Sequence, residues 1–178
     1  MPPTVDRTDC QACSEQRFAV HPIFDLCRAK RFDEALQLCK DELAQKPDDA
    51  DSYRYMADVL ELAQRHQEAL PFRNKALELV PNSAASHFSR GDLFYQIGSY
   101  PAAIQDFSKA AELDNHGALS PLAHLYRADC HRRLKAYDEA IAACQCVPDD
   151  FDFPGFLGER AGGKRHLLAA IARERGTR

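Results

Sequence analysis

Apolar residues recur along this chain three, four or seven positions apart, as in Tyr53, Ala57 and Leu60, Ala69 and Ala76, Gly91 and Phe94, or Ala103, Phe107 and Ala110. That spacing places each set on one face of a helix. No stretch alternates with a period of two between hairpin turns, so the pattern predicts helices and no sheet. The pattern also repeats. Phe32-Asp33-Glu34-Ala35, His66-Gln67-Glu68-Ala69, Tyr100-Pro101-Ala102-Ala103 and Tyr137-Asp138-Glu139-Ala140 align, with alanines at 35, 69, 103 and 140 in steps of 34, 34 and 37. The last step carries a three-residue insertion.

A 34-residue period with an aromatic and then an alanine opening a second helix resembles the tetratricopeptide repeat, a stack of antiparallel helix pairs. The resemblance runs from about Arg17 to Val147 and is densest at Tyr53, Ala57, Leu60, Ala69, Ala76 and Pro81, then at Gly91, Phe94, Tyr100, Ala103, Phe107 and Ala110. Small Ala57, Gly91 and Ala128 let the first helix of a pair approach closely, and Ala35, Ala69, Ala103 and Ala140 do so for the second. One pair cannot bury its own apolar face, so neighbouring pairs complete the core. The fold class this implies is an all-α, right-handed superhelical stack with a C-terminal capping helix. It divides into an arm at 1–16, repeat units at about 17–49, 50–83, 84–117 and 121–147, and a phenylalanine-rich segment with the capping helix at 148–178.

Local signals agree with helix pairs. Asp49 or Asp51, Asn82 or Ser83, and Ser120 before Pro121 suit the starts of leading helices. Asp33, Glu34, Glu68, Asp138 and Glu139 put negative charge in the first turn of second helices, where the helix dipole favours it. Pro22 predicts a short first helix beginning there, and Pro71 predicts a local distortion or delay in its helix. Phe151, Phe153 and Phe156 lie too close together to be left in water; they are expected to cover the end of the last repeat, and the competing reading is a docking sequence for a partner. A final helix from about Lys164 to Arg175 presents Leu167, Leu168 and Ile171 on one face.

Charge narrows the function. The 178 residues carry a formal net charge of -4, which argues against a general nucleic-acid binder. Six bases and two acids after Gly155 give that tail +4 and leave -8 for the body, favouring a basic partner. No apolar run is long enough to span a membrane, and the polar first ten residues do not read as a secretion signal, so a cytoplasmic chain is expected. Seven cysteines then read as reduced thiols, mostly core filler.

The resemblance implies that first helices line a concave groove for a protein or peptide. Matching its groove positions gives Arg54, Tyr55, Asp58 and Glu61 in the second unit, Phe88, Ser89, Asp92 and Tyr95 in the third, and Leu125, Tyr126, Asp129 and Arg132 in the fourth, with Arg133 close by. Asp58, Asp92 and Asp129 share one repeat position. Relatives that clamp a C-terminal carboxylate use asparagine there with lysines, so aspartate argues against that ligand. Three carboxylates beside Tyr55, Phe88, Tyr95 and Tyr126 suit a partner bringing lysine or arginine onto an aromatic platform. The competing reading makes each aspartate a solvated bridge to Arg54, Arg132 or another base, worth ~0–1 kcal/mol.

Other chemistry is weaker. Cys10 and Cys13 with His21 and Cys27 have zinc-ligand types at a loose spacing, and as a redox pair they lack a thioredoxin-like βαβ context. The histidines are scattered, and Asp92 with His131 has no nucleophile or phosphate loop beside it. No cofactor is implied. The expected work is non-catalytic protein recognition, as a scaffold, a chaperone of a secreted protein, or an immunity-type inhibitor of a toxin, with self-association through an open repeat end as a further possibility.

Overall fold

From Pro22 onward the chain doubles back on itself every seventeen or so residues, and the turns explain how. In the computed structural model, which describes residues 21–151, 153 and 163–176, the regular elements are helices α1 (Pro22–Arg28), α2 (Phe32–Gln45), α3 (Ala50–Leu62), α4 (His66–Leu79), α5 (Ala84–Gln96), α6 (Tyr100–Leu113), α7 (Ser120–Arg133), α8 (Tyr137–Gln145) and α9 (Lys164–Gly176). Within each pair the turn contains one residue with a positive φ: Lys30 at 58°, Gln64 at 61°, Gly98 at 79° and Lys135 at 61°. These four are again 34, 34 and 37 positions apart. Each lies at the centre of the same two bonds, illustrated by Gln64 N–H donating to Glu61 O at 2.9 Å and Arg65 N–H to Leu60 O at 2.8 Å. The pattern satisfies the last carbonyls of the first helix and reverses the chain.

Connections between pairs rely on side chains instead. Asp49 accepts from the Ser52 backbone N–H at 2.9 Å and Ser83 from that of Ser86 at 3.1 Å, so of the paired candidates Asp49 and Ser83 are the caps. The three-residue insertion changes this before α7. Asp114 Oδ2 accepts from the backbone N–H groups of Leu119 and Ser120, both at 2.7 Å, and from the Ser120 hydroxyl at 2.8 Å. Pro22 opens the short α1 as expected. Pro71 neither delays nor breaks α4, which runs unbroken from His66; it sits on the exposed face, where water can reach the carbonyl left without its backbone donor.

Packing follows the small residues. Ala35, Ala57, Ala69, Ala103, Ala128 and Ala140 are all completely buried. Between α5 and α6 the approach is close, because Gly91 faces the ring of Phe107, itself fully buried. At the far end α9 lies on α7 and α8, adding Leu167 and Ile171 to the cluster formed by Leu125, Ala140, Cys144 and Val147. Phe151 and Phe153 pack against that same cluster, which is what two of the three phenylalanines were expected to do; Phe156 lies outside the described residues.

Gly91→Ala is expected to cost about 1–3 kcal/mol by overpacking, since its Cβ would stand 3.0 Å from Phe107 Cδ1 and 3.2 Å from Asp106 Cβ. Gly98→Ala, which has open space but a left-handed backbone, should cost about 1 kcal/mol. Urea unfolding followed by circular dichroism separates the two, and equal stability of Gly91→Ala and the wild type would refute the close approach.

Candidate functional site

The three aspartates at one repeat position have three different surroundings. Asp129, on α7, is 0% exposed. Arg132 Nε donates to its Oδ1 at 2.7 Å, while Arg133 Nε at 2.7 Å and the Tyr95 hydroxyl at 2.6 Å donate to its Oδ2. Arg132 then reaches Glu174 on α9. Asp129 is therefore a buried junction of α5, α7 and α9. Asp58, on α3, accepts from Arg73 Nη2 at 2.6 Å, and Arg73 Nε donates to Glu61 at 2.7 Å. Arg73 comes from α4 and is buried, at the repeat position that holds Cys39, Phe107 and Cys144 in the other units. A cation among residues of that kind was a legible signal, and alignment of the groove positions alone misses it.

Asp92, on α5, differs from both. Its Oδ1 is buried and has no hydrogen-bond partner among the described residues. Burial holds its carboxyl above the usual carboxylate range, although the Gln96 amide and the nearby Arg73 and His66 pull the other way. Burial likewise raises Glu61, opposed by Arg73.

These environments revise the expectation of three equivalent carboxylates under an aromatic platform. Phe88, Tyr95 and Tyr126 pack on one another and on Phe107 instead of lying open: Phe107 and Tyr126 stack at 5.3 Å, Phe88 meets Tyr126 edge-on at 5.8 Å, and Tyr95 meets Tyr126 edge-on at 5.3 Å. The cation over Tyr95 is this chain's own Arg133, 5.0 Å from the ring centroid. Tyr55 stacks against His21 at 4.6 Å. Arg54 is exposed and pairs with Asp51 at 2.6 Å, not with Asp58. Leu125 is in the core, and Ser89 is half-buried. The reason is stacking itself, because side chains meet across the boundary between units, as Tyr95 of α5 does with Tyr126 and Asp129 of α7, and large side chains there are consumed by that contact.

What remains open is a cleft of about 380 Å³ on the first-helix side, lined by Phe24 of α1, Asp58, Glu61 and Leu62 of α3, Gln64 of the turn, His66 of α4, and Asp92 and Gln96 of α5. Three carboxylates line it, two of them, Asp58 and Glu61, bonded to the buried Arg73, and Leu62 at its rim is 52% exposed. A long side chain with an aliphatic stem and a positive head matches that lining.

The other polar groups read as structural. Asp106 accepts from Arg90 Nε at 2.7 Å with His87 Nδ1 3.0 Å away, and the other His87 nitrogen lies 3.0 Å from Pro81 O. The same repeat position in the second unit is Tyr53, whose hydroxyl donates to Pro47 O at 2.9 Å. Burial pushes the thiols of Cys39 and Cys130 up to about 12 and that of Cys144 up to about 11, so these three are protonated core residues at neutral pH. Cys10 and Cys13 lie outside the described residues. Among the described residues no three His, Cys, Asp or Glu side chains are grouped to hold a metal ion, and no helix is long and apolar enough to cross a membrane.

Asp129→Ala should destabilise the fold by about 3 kcal/mol, because two arginines and a tyrosine lose their shared acceptor. Asp92→Asn is expected to act oppositely. A carboxyl whose pKa is raised on folding opposes folding once the pH passes the unfolded value, so removing the charge raises the melting temperature at pH 7. The gain should fade as the pH falls towards 4, where the unfolded chain is protonated as well. Thermal melts of both variants between pH 4 and 8 check this, and a destabilised Asp92→Asn at pH 7 would contradict it.

Comparison with known proteins agrees with the family resemblance. Two models of the tetratricopeptide repeat match residues 48–116 and 90–150. The chain is 32% identical over 144 residues to the Tetratricopeptide repeat protein 36 homolog of Drosophila melanogaster, spanning 75% of this chain and 76% of that protein. Among solved structures, MamA superimposes with a TM-score of 0.73 at 18% identity over 89% of this chain and 87% of its own. The type IV pilus biogenesis factor PilW does so with 0.61 at 18% identity, covering 69% and 56%. At such identities the two structures establish the fold alone. The chain belongs to the tetratricopeptide repeat family, an all-α helical-repeat solenoid whose helix pairs form a protein–protein interaction module.

Proposed function

We propose that this chain recognises a basic segment of a protein partner on its first-helix face, in the cleft between the second and third units. The observation that carries the reading is the charge of that cleft: Asp58, Glu61 and Asp92 against Arg73, with Phe24 and exposed Leu62 beside them. In this reading Asp58 and Asp92, which line the cleft, receive the basic segment, Tyr55 meets the lining residue Phe24 edge-on, and Asp129, Arg132 and Arg133 support the surface by fixing the stack. The role is one of binding, without catalysis. Opposite charge across a preformed surface selects partners and speeds encounter, while apolar contact adds affinity.

The test uses fluorescently labelled 12-residue peptides of basic, neutral and acidic composition and the full chain. The basic peptide should bind at about micromolar strength, near -8 kcal/mol, and weaken severalfold as salt rises from 0.05 to 0.3 M on the order of ordinary screening. Its contacts should map to α3 and α5 by amide chemical-shift changes. Equal binding of the acidic peptide, or shifts confined to α2, α4 and α6, would overturn the reading. A single natural partner held far more tightly would identify a dedicated inhibitor or chaperone, and several micromolar partners a scaffold.

A further inference from the structure

The internal repeat supplies its own comparison for Asp92. At both flanking repeats the equivalent carboxylate already receives arginine: Asp58 from Arg73, and Asp129 from Arg132 and Arg133. The donors to Asp129 stand three and four positions after it, with Tyr95 reaching across from the preceding unit. The same three places around Asp92 hold Tyr95, whose hydroxyl is already directed to Asp129, then Gln96, and across the interface Glu61, a second carboxylate. The place of Arg73 is taken in the third unit by Phe107, which is in the core. Arg73 itself spends Nε and Nη2 on Glu61 and Asp58. Asp92 is thus the one aspartate of the three to which the described chain brings no hydrogen-bonding base, and its Oδ1 is left without a partner.

From this we infer that Asp92 is the receptor for a guanidinium group of the partner, an arginine that completes in trans the contact made in cis at the repeats on either side. The inference rests on the proposed basic-segment reading and narrows it to one residue type. Asp92 lines the cleft, and its carboxyl turns about a soft terminal torsion, so that one of its two equivalent oxygens meets a guanidinium entering there. The surroundings favour arginine over lysine. Acceptors stand on three elements, with Glu61 on α3, the Gln64 amide in the turn, and Asp92 and the Gln96 amide on α5. A planar group with five divergent donors can meet several of them at once, whereas a compact ammonium cannot. Phe24 and Leu62 are placed to cover the aliphatic stem.

The experiment titrates N-acetylarginine methylamide, and its lysine and citrulline counterparts, into the isotope-labelled full chain while amide shifts are followed. Saturable shifts are expected at Gln64, Asp92 and Gln96 with the arginine probe, weaker ones with lysine, and none with citrulline. Asp92→Asn should weaken the arginine probe by about tenfold; Asp51→Asn, the same charge change at an exposed position, should leave it unaltered. Citrulline binding as well as arginine, or unchanged binding by Asp92→Asn, would overturn the assignment. A basic 12-residue peptide that binds wild type and Asp92→Asn equally would also overturn it while leaving the broader reading intact. Saturation by the arginine probe without binding of any basic peptide would instead discard the broader reading and keep the receptor.

Discussion

Close approach at the helix crossings is the constraint on which the rest of this structure depends. From the second unit onward each first helix meets its partner at a residue with a single carbon or none for a side chain, Ala57, Gly91 and Ala128, and each second helix answers with Ala69, Ala103 and Ala140. Axes that near leave no room for polar side chains at the crossing itself, so charged groups meet to one side of it, as Arg73 does with Asp58 and Glu61 and Asp106 with Arg90. Dispersion and burial then fix the stack, and the stack fixes where charges can stand.

Charged groups in the stack follow from that arrangement. Where a carboxylate falls at a contact between first helices it is either neutralised from within, as at Asp129 and Asp58, or left in deficit, as at Asp92. A buried group lacking its bond opposes folding. Retaining aspartate at this position, where an amide would be less costly, is the kind of local inconsistency found at binding sites. Arg73 ties the cleft to the fold, since the same guanidinium that holds Asp58 and Glu61 in place also limits how much negative charge the cleft presents.

Several features were readable in the residues because they are local. The aromatic and alanine marks of each unit, the short first helix from Pro22, the helix starts at Asp49 or Asp51 and at Asn82 or Ser83, and the apolar face of α9 each depend on residues a few positions apart. The chain reversals at Lys30, Gln64 and Lys135 were not, because only Gly98 carries the residue that usually marks a left-handed turn. There the closure of the pair enforces the backbone and the side chain tolerates it. Asp114 replaces a conventional cap only because the insertion brings it back over the start of α7.

Sequence alone determined the family register, the helical class and the acidic character of the body, since periodicity and composition are properties of the linear chain. It also placed three aspartates at one repeat position, and periodicity made them look alike. Only the tertiary structure decided that they differ. The partners of Asp129 come from α5 and α7, with Arg132 tied on to α9; that of Asp58 comes from α4; Asp92 receives no arginine, and its Oδ1 has no partner among the described residues. Tyr95 lies 34 residues from Asp129 and Arg73 lies 15 from Asp58, and hydrogen bonding depends on distance in space, which the spacing of residues along a sequence does not specify.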